Sequence, residues 1–95
     1  MTAAVGVLTL ELRIHGAHSL KDKRQVLRAL KDRLRKLFNV SVAETAFQDT
    51  WQHRVVSVAA IASDRTYVES VLTRAEEEAA ELLGGDLVET HVELI

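Results

Sequence analysis

From Val5 to Ile14 the chain alternates. Leu8, Leu10, Leu12 and Ile14 fall on one side, and Val7, Thr9, Glu11 and Arg13 on the other. A period of two marks a strand with one buried face, because successive side chains point to opposite sides of a sheet. From Ser19 to Phe38 the spacing becomes helical. Leu20, Leu27, Leu30, Leu34, Leu37 and Phe38 gather on one stripe, with Val26 at its edge, which predicts an amphipathic helix. Ser19 offers an N-cap hydroxyl, and Asp22 three residues on completes a pair resembling a capping box. Asn39 suits the left-handed residue that ends many helices. Val40 to Phe47 predicts a second strand, with Val40 and Val42 on one face. Arg54 to Ala62 predicts a third, rich enough in Val, Ala and Ile for both faces to be covered. The polar stretch between them, Gln48 to His53, reads as a hairpin loop and carries Trp51. Ser63 or Asp64 caps a second helix, whose apolar stripe is Val68, Val71, Leu72, Ala75, Ala79 and Leu82. Gly84 and Gly85 end it. Asp86 to Ile95 predicts a fourth strand with Val88, Thr90, Val92 and Leu94 on one face.

The order is therefore β-α-β-β-α-β. Two crossovers joined by a hairpin give a four-stranded antiparallel sheet with both helices on one face. This is an α+β, ferredoxin-like sandwich, and residues 1–95 form a single domain. At 47% hydrophobic residues the chain has enough apolar side chains for a core without staples. There is no cysteine, which removes disulfides, thiol nucleophiles and cysteine metal sites. There is also no proline, and the few glycines argue for short connections. Met1 to Leu12 lacks the basic start and long apolar run of a signal peptide. No stretch approaches the roughly 20 apolar residues that span a bilayer. These features predict a cytoplasmic protein with no membrane partner.

Charge changes the picture more than composition does. Lys21, Arg24, Arg28, Lys31 and Arg35 follow one another at steps of three and four, the spacing that holds side chains on one side of a helix. The window Lys21 to Lys36 has eight basic and two acidic residues, so it carries +6 in a chain of net charge −2, and the rest sums to −8. The stripe lies about 120° around the helix from the apolar residues, on a flank that solvent reaches. Cations about 5 to 6 Å apart can follow a phosphate backbone, and each arginine can fork onto a phosphate. These five residues are the candidate nucleic-acid-binding set. An equally concrete alternative exists. The second helix carries Asp64, Glu69, Glu76, Glu77, Glu78 and Glu81 against Arg65 and Arg74, so the basic helix can instead spend its charge on its acidic neighbour. Exposed pairs of that kind contribute only about 0 to 1 kcal/mol each.

The sheet face away from the helices is expected to carry Val5, Val7, Thr9, Glu11 and Arg13, with Glu89, His91 and Glu93 on the neighbouring fourth strand. RNA-recognition motifs stack bases on aromatic rings at that face. Here the first strand has none and Phe47 is the one candidate on the second, which excludes that reading. Glu11, Glu89, His91 and Glu93 can be read as an oxygen-rich metal site, but cross-strand pairing with Arg13 and Arg54 accounts for them more simply. The valines are also a dimerisation signal. His15 and His18 read as loop or capping residues, and Trp51 either folds over the core edge or anchors a partner. The chain shares its element order with the small acylphosphatases. It has His15-Gly16-Ala17-His18 where they carry a glycine-containing phosphate cradle with an arginine, and its one asparagine is Asn39. No catalytic residue, metal ligand set or cofactor is expected, and a phosphate or acyl-phosphate hydrolase is the remote alternative.

The run Ser19-Leu20-Lys21-Asp22-Lys23-Arg24, then Leu30, Leu34 and Phe38-Asn39-Val40-Ser41-Val42-Ala43-Glu44, resembles the signature of the YlxP-like family. This is a bacterial family of unknown function, and the resemblance covers essentially the whole chain. It implies a ferredoxin-like fold. In several bacteria the family's gene lies in the operon of translation initiation factor two and ribosome-binding factor A, so the resemblance also implies a partner around the ribosome. It brings no catalytic residues. The matched Lys23 points near the centre of the apolar stripe, where an ammonium must snorkel or meet a carboxylate, and Glu44 is its expected partner.

Overall fold

The computed structural model describes residues 3–15, 20–47 and 53–95, with the side chains of Leu20 and Phe47 excepted. The expectations for Ser19, His18, Trp51, Leu20 and the Phe47 ring lie outside these residues. The elements are β1 (Ala4–Arg13), α1 (Leu20–Leu37), β2 (Ser41–Phe47), β3 (His53–Ala62), α2 (Arg65–Leu83), a 3-10 turn (Gly84–Asp86) and β4 (Leu87–Leu94). All strand pairs are antiparallel and the sheet order is β2-β3-β1-β4. The two apolar strands β1 and β3 are therefore central, while β2 and β4 are edges.

The register explains the core. Leu8, Leu10 and Leu12 on β1 stand opposite Val58, Val56 and Arg54 on β3, and opposite Val92, Thr90 and Leu87 on β4. Leu8, Leu10, Leu12, Val56 and Val58 are completely buried beneath Leu27, Leu30 and Leu34 of α1 and Val68, Leu72, Ala75 and Ala79 of α2. Burying one such side chain stabilises the fold by roughly 1.5 to 3 kcal/mol. Asp64 is the N-cap of α2, accepting a hydrogen bond from the Tyr67 backbone N–H at 3.2 Å. Gly84 ends α2 at φ 56°, the left-handed region where the absence of Cβ matters.

Four expectations about the core change. Leu37 is half exposed at the last position of α1. Leu83, not Leu82, completes the buried stripe of α2; Leu82 turns to the helix flank, beside Val26 and Ala29. The outer face of β3 is not covered, and Ile61 at its end is 64% exposed. On the edge strand β4 the register slips so that Leu87, not Val88, stands opposite Leu12; Val88 is exposed, and so is Val92 in spite of its place opposite Leu8.

Candidate nucleic-acid interface

The flanks of α1 have different fates. Arg33 lies on the opposite side of the apolar seam from the basic stripe, as the helical spacing requires. It faces α2, where its guanidinium bonds Glu78 at 2.8 Å and reaches Glu81 at 3.5 Å. The other acidic side chains of α2 are occupied locally or point outward. Glu69 pairs with Arg65 at 3.7 Å, and Glu76 accepts the Thr90 hydroxyl at 2.6 Å. Arg74 stacks over the Phe38 ring at 5.5 Å. The stripe itself looks the other way, past β2. Among the described residues no ion pair or hydrogen bond engages the heads of Lys21, Arg24, Arg28 or Lys31. Three of them are exposed and Lys31 is half-buried.

Arg35 is the exception. Its Nη2 donates to the Val42 carbonyl on β2 at 2.6 Å. It is thus a strut between α1 and the edge strand, and it caps a backbone acceptor that an edge would otherwise present. The expected five-cation stripe becomes four open cations and one anchored one.

Between α1 and β2 lies a hollow of about 350 Å³ lined by Arg24, Leu27, Arg28, Lys31, Asp32, Arg35 and Glu44. A second, of about 300 Å³, is lined by Lys21, Arg24, Gln25 and Arg28. The two share Arg24 and Arg28, so they form one continuous track. From Lys21 to Arg35 the track runs roughly 21 Å along the helix, at 1.5 Å per residue. No aromatic ring is among its described lining residues.

At the inner end of this region the expected Lys23–Glu44 pair is replaced. Glu44 bonds the Arg54 guanidinium at 3.1 Å instead. Arg54 stands opposite Leu12 and Phe47 in the register, which brings it within reach of Glu44 on the same strand pair. Lys23 is wholly buried. Burial, and secondly the Arg54 charge, hold its ammonium below the usual lysine range. Its position is structural, and it does not belong to the track.

The open sheet face also differs from expectation in its pairing. Arg54 has gone to the opposite side, so it cannot neutralise the carboxylates there. Glu11 stands directly across from Glu89. A hydrogen bond with Glu11 and the Glu11 charge push the Glu89 carboxyl above its usual range; burial adds to this and His91 opposes it. His53 Nε2 lies 3.6 Å from Glu11 Oε1. Among the described residues no group of three or more His, Asp or Glu side chains is arranged to hold a metal ion. His15 donates its backbone N–H to Asp86 Oδ1 at 3.3 Å, and its Nδ1 lies 3.1 Å from the same oxygen, tying the end of β1 to the turn before β4.

The sequence pattern missed Arg33 as the cross-helix link and Arg35 as a strut. Arg33 was half legible: its place across the apolar seam from the stripe means that only one of the two flanks can meet α2, and the packing decides which. Arg35 was not, since its bond depends on how closely β2 passes α1.

A four-stranded antiparallel sheet with two helices on one face defines this domain as a ferredoxin-like α+β sandwich. Solved structures share it. The designed protein Foldit4 aligns over 99% of this chain and 97% of its own at 15% identity, with a TM-score of 0.64. A dimeric ferredoxin-like protein of unknown function from Thermobifida fusca aligns over 98% of this chain and 90% of its own at 11% identity, with a TM-score of 0.56. At these identities the likeness is one of fold alone. The family is narrower: the model described as protein of unknown function (DUF503) matches residues 5–92, and the chain belongs to that family. It is 41% identical over 70 residues to the uncharacterized protein YlxP of Bacillus subtilis (strain 168), across 74% of this chain and 76% of that protein. The expected YlxP-like membership is borne out. No helix among the described residues is long and apolar enough to cross a membrane.

Proposed function

We propose that this protein is a non-enzymatic module that binds a polyanion, with RNA or a ribosomal component as its target, along the outer flank of α1. The observation that carries the reading is that the glutamates of α2 take Arg33 and leave Lys21, Arg24, Arg28 and Lys31 facing solvent. Four cations without an ion-pair partner among the described residues, in a chain of net charge −2, concentrate positive potential on one ridge. Phosphates on that ridge would exchange condensed counterions for arginine and lysine. The track has no described aromatic lining, so contact would run along the backbone and discriminate sequence weakly. The family's association with translation genes is consistent with such a partner.

Filter binding of ribosomal RNA over a salt series tests this. Four contacts to a single strand predict a slope of log K against log salt of about −3. Arg24→Glu combined with Arg28→Glu is expected to weaken binding at least about ten-fold; Arg35 is spared because it braces β2. No retention at low salt, or retention indifferent to the double reversal, would end the proposal.

A second reading rests on a different surface. Val5, Val7 and Thr9 on β1 adjoin Ile61, Ala59 and Ser57 on β3, on the side of the sheet that no helix covers. Central strands with outward Val, Ala and Ile are unusual on a solvated face. Strands of 10, 7, 10 and 8 residues at about 3.3 Å each, side by side at about 4.8 Å, give a footprint of roughly 550 Å². That approaches the roughly 800 Å² per partner of ordinary interfaces. A second copy of the chain, pairing face to face, is the occupant that this reading assigns. The dimeric state of the Thermobifida fusca protein is compatible with it.

A further inference from the structure

The α1–β2 hollow contains two carboxylates among its cations, and their position has a chemical consequence. Asp32 sits one turn from both Arg28 and Arg35, yet among the described residues it forms an ion pair with neither. It is exposed at the rim of the hollow, on α1. Across from it on β2, Glu44 has Oε2 bound to Arg54. A groove built only to attract phosphates has no use for such groups. Each repels a phosphodiester at close range, and neither is spent on neutralising the stripe. A carboxylate in this place becomes favourable when the ligand brings a hydrogen-bond donor next to its phosphate. Ionised carboxylates are acceptors only, and bonds to them are the stronger, charge-assisted kind. In a nucleic-acid backbone, one group alone is a donor beside every phosphate, the ribose 2′-hydroxyl, and DNA lacks it.

We infer that the α1–β2 hollow selects RNA over DNA, with Arg24, Arg28 and Lys31 holding phosphate and the Asp32 carboxylate accepting a ribose 2′-hydroxyl. Glu44 on the facing strand narrows the hollow and adds a second acceptor. The inference rests on the polyanion reading and deepens it by naming the sugar as the discriminating part. Asp32 acts as a specificity residue. Its removal lifts a repulsion felt by both nucleic acids and a hydrogen bond felt by one.

The test is fluorescence anisotropy with three labelled single strands of one mixed sequence: RNA, DNA with uracil in place of thymine, and 2′-O-methyl RNA. The bases are identical in all three, so base amino groups contribute equally. Wild-type protein is expected to bind RNA about ten-fold more tightly than DNA, the ratio that one charge-assisted hydrogen bond supplies. The 2′-O-methyl strand keeps the sugar oxygen and loses the donor, so it is expected to bind like DNA. Asp32→Ala, an exposed change to a better helix former, is expected to bring the RNA-to-DNA ratio close to one, mainly by strengthening DNA binding. Equal binding of RNA and DNA by the wild type overturns the inference and leaves the polyanion reading standing. So does an unchanged ratio in Asp32→Ala, or a 2′-O-methyl strand that binds like RNA. Failure of all three strands to bind at low salt overturns both.

Discussion

Glu89 and Glu11 face each other directly across β4 and β1. Like charges directly opposite in a sheet oppose pairing, and the Glu89 carboxyl responds by holding its proton above the ordinary value of 4.5. The sign of the pH effect follows. Below 4.5 the group is protonated folded or unfolded, and the pair costs nothing. As pH rises through that value the unfolded chain ionises freely while the native state ionises against Glu11, so stability is lost. Glu89→Gln is therefore expected to raise Tm near pH 7, and the gain is expected to vanish below about pH 4. Thermal melts at the two pH values check it; a gain equal at both would locate the effect elsewhere. Lys23 shows the opposite arrangement at the same scale. Its stem fills core space beneath α1, and desolvation lowers its pKa, so the cost of its charge falls as pH rises toward 10.5. The helical spacing identified Lys23 as inward-pointing; its neighbour Arg54 comes from a strand more than thirty positions away in the chain and was invisible to any local pattern.

Elements meet closely at Gly6. A Cβ there would stand 2.7 Å from Leu72 Cδ1 and 2.9 Å from both Val68 Cγ1 and Leu94 Cδ2. The missing side chain lets α2 settle onto β1 and β4 together. Because Leu72 and Val68 are completely buried, neither has room to withdraw. Gly6→Ala is expected to destabilise the fold by about 1 to 3 kcal/mol through overpacking, measured as a fall in the urea midpoint at unchanged slope. A neutral result would mean that the helix rides on the sheet more loosely than these distances imply. All six elements were legible in the hydrophobic periods, to within about two residues at their ends. The helical misplacements were in the last turns: Leu37 and Leu82 satisfy the helical period but lie exposed at the ends of α1 and α2. Period alone carries no information about how far the facing surface extends.

At the scale of the molecule, the two candidate surfaces lie on different sides. The basic track runs along the α1 flank beside β2, and the apolar patch covers the helix-free side of β1 and β3. A face-to-face pair of sheets would leave both α1 tracks outward, so self-association and polyanion binding are compatible, and a dimer would present two ridges. Sedimentation velocity at tens of micromolar is expected to show a dimer for the wild type and a monomer for Val7→Lys, with circular dichroism unchanged because the new ammonium faces outward. A monomeric wild type would remove the second surface. The two ridges would then act singly.

The amino-acid sequence by itself determined the elements, their order, most of the buried leucines and valines, and the alignment of Lys21, Arg24, Arg28, Lys31 and Arg35 along one flank. These follow from periods of 2 and 3.6 residues, which are local properties of the backbone. Tertiary structure alone decided which charges meet. Whether Arg33 or the stripe faces the glutamates of α2, whether Glu44 meets Lys23 or Arg54, and whether Arg35 reaches β2 depend on distances of a few ångströms between segments remote in the chain. Electrostatic pairing falls off over just such distances.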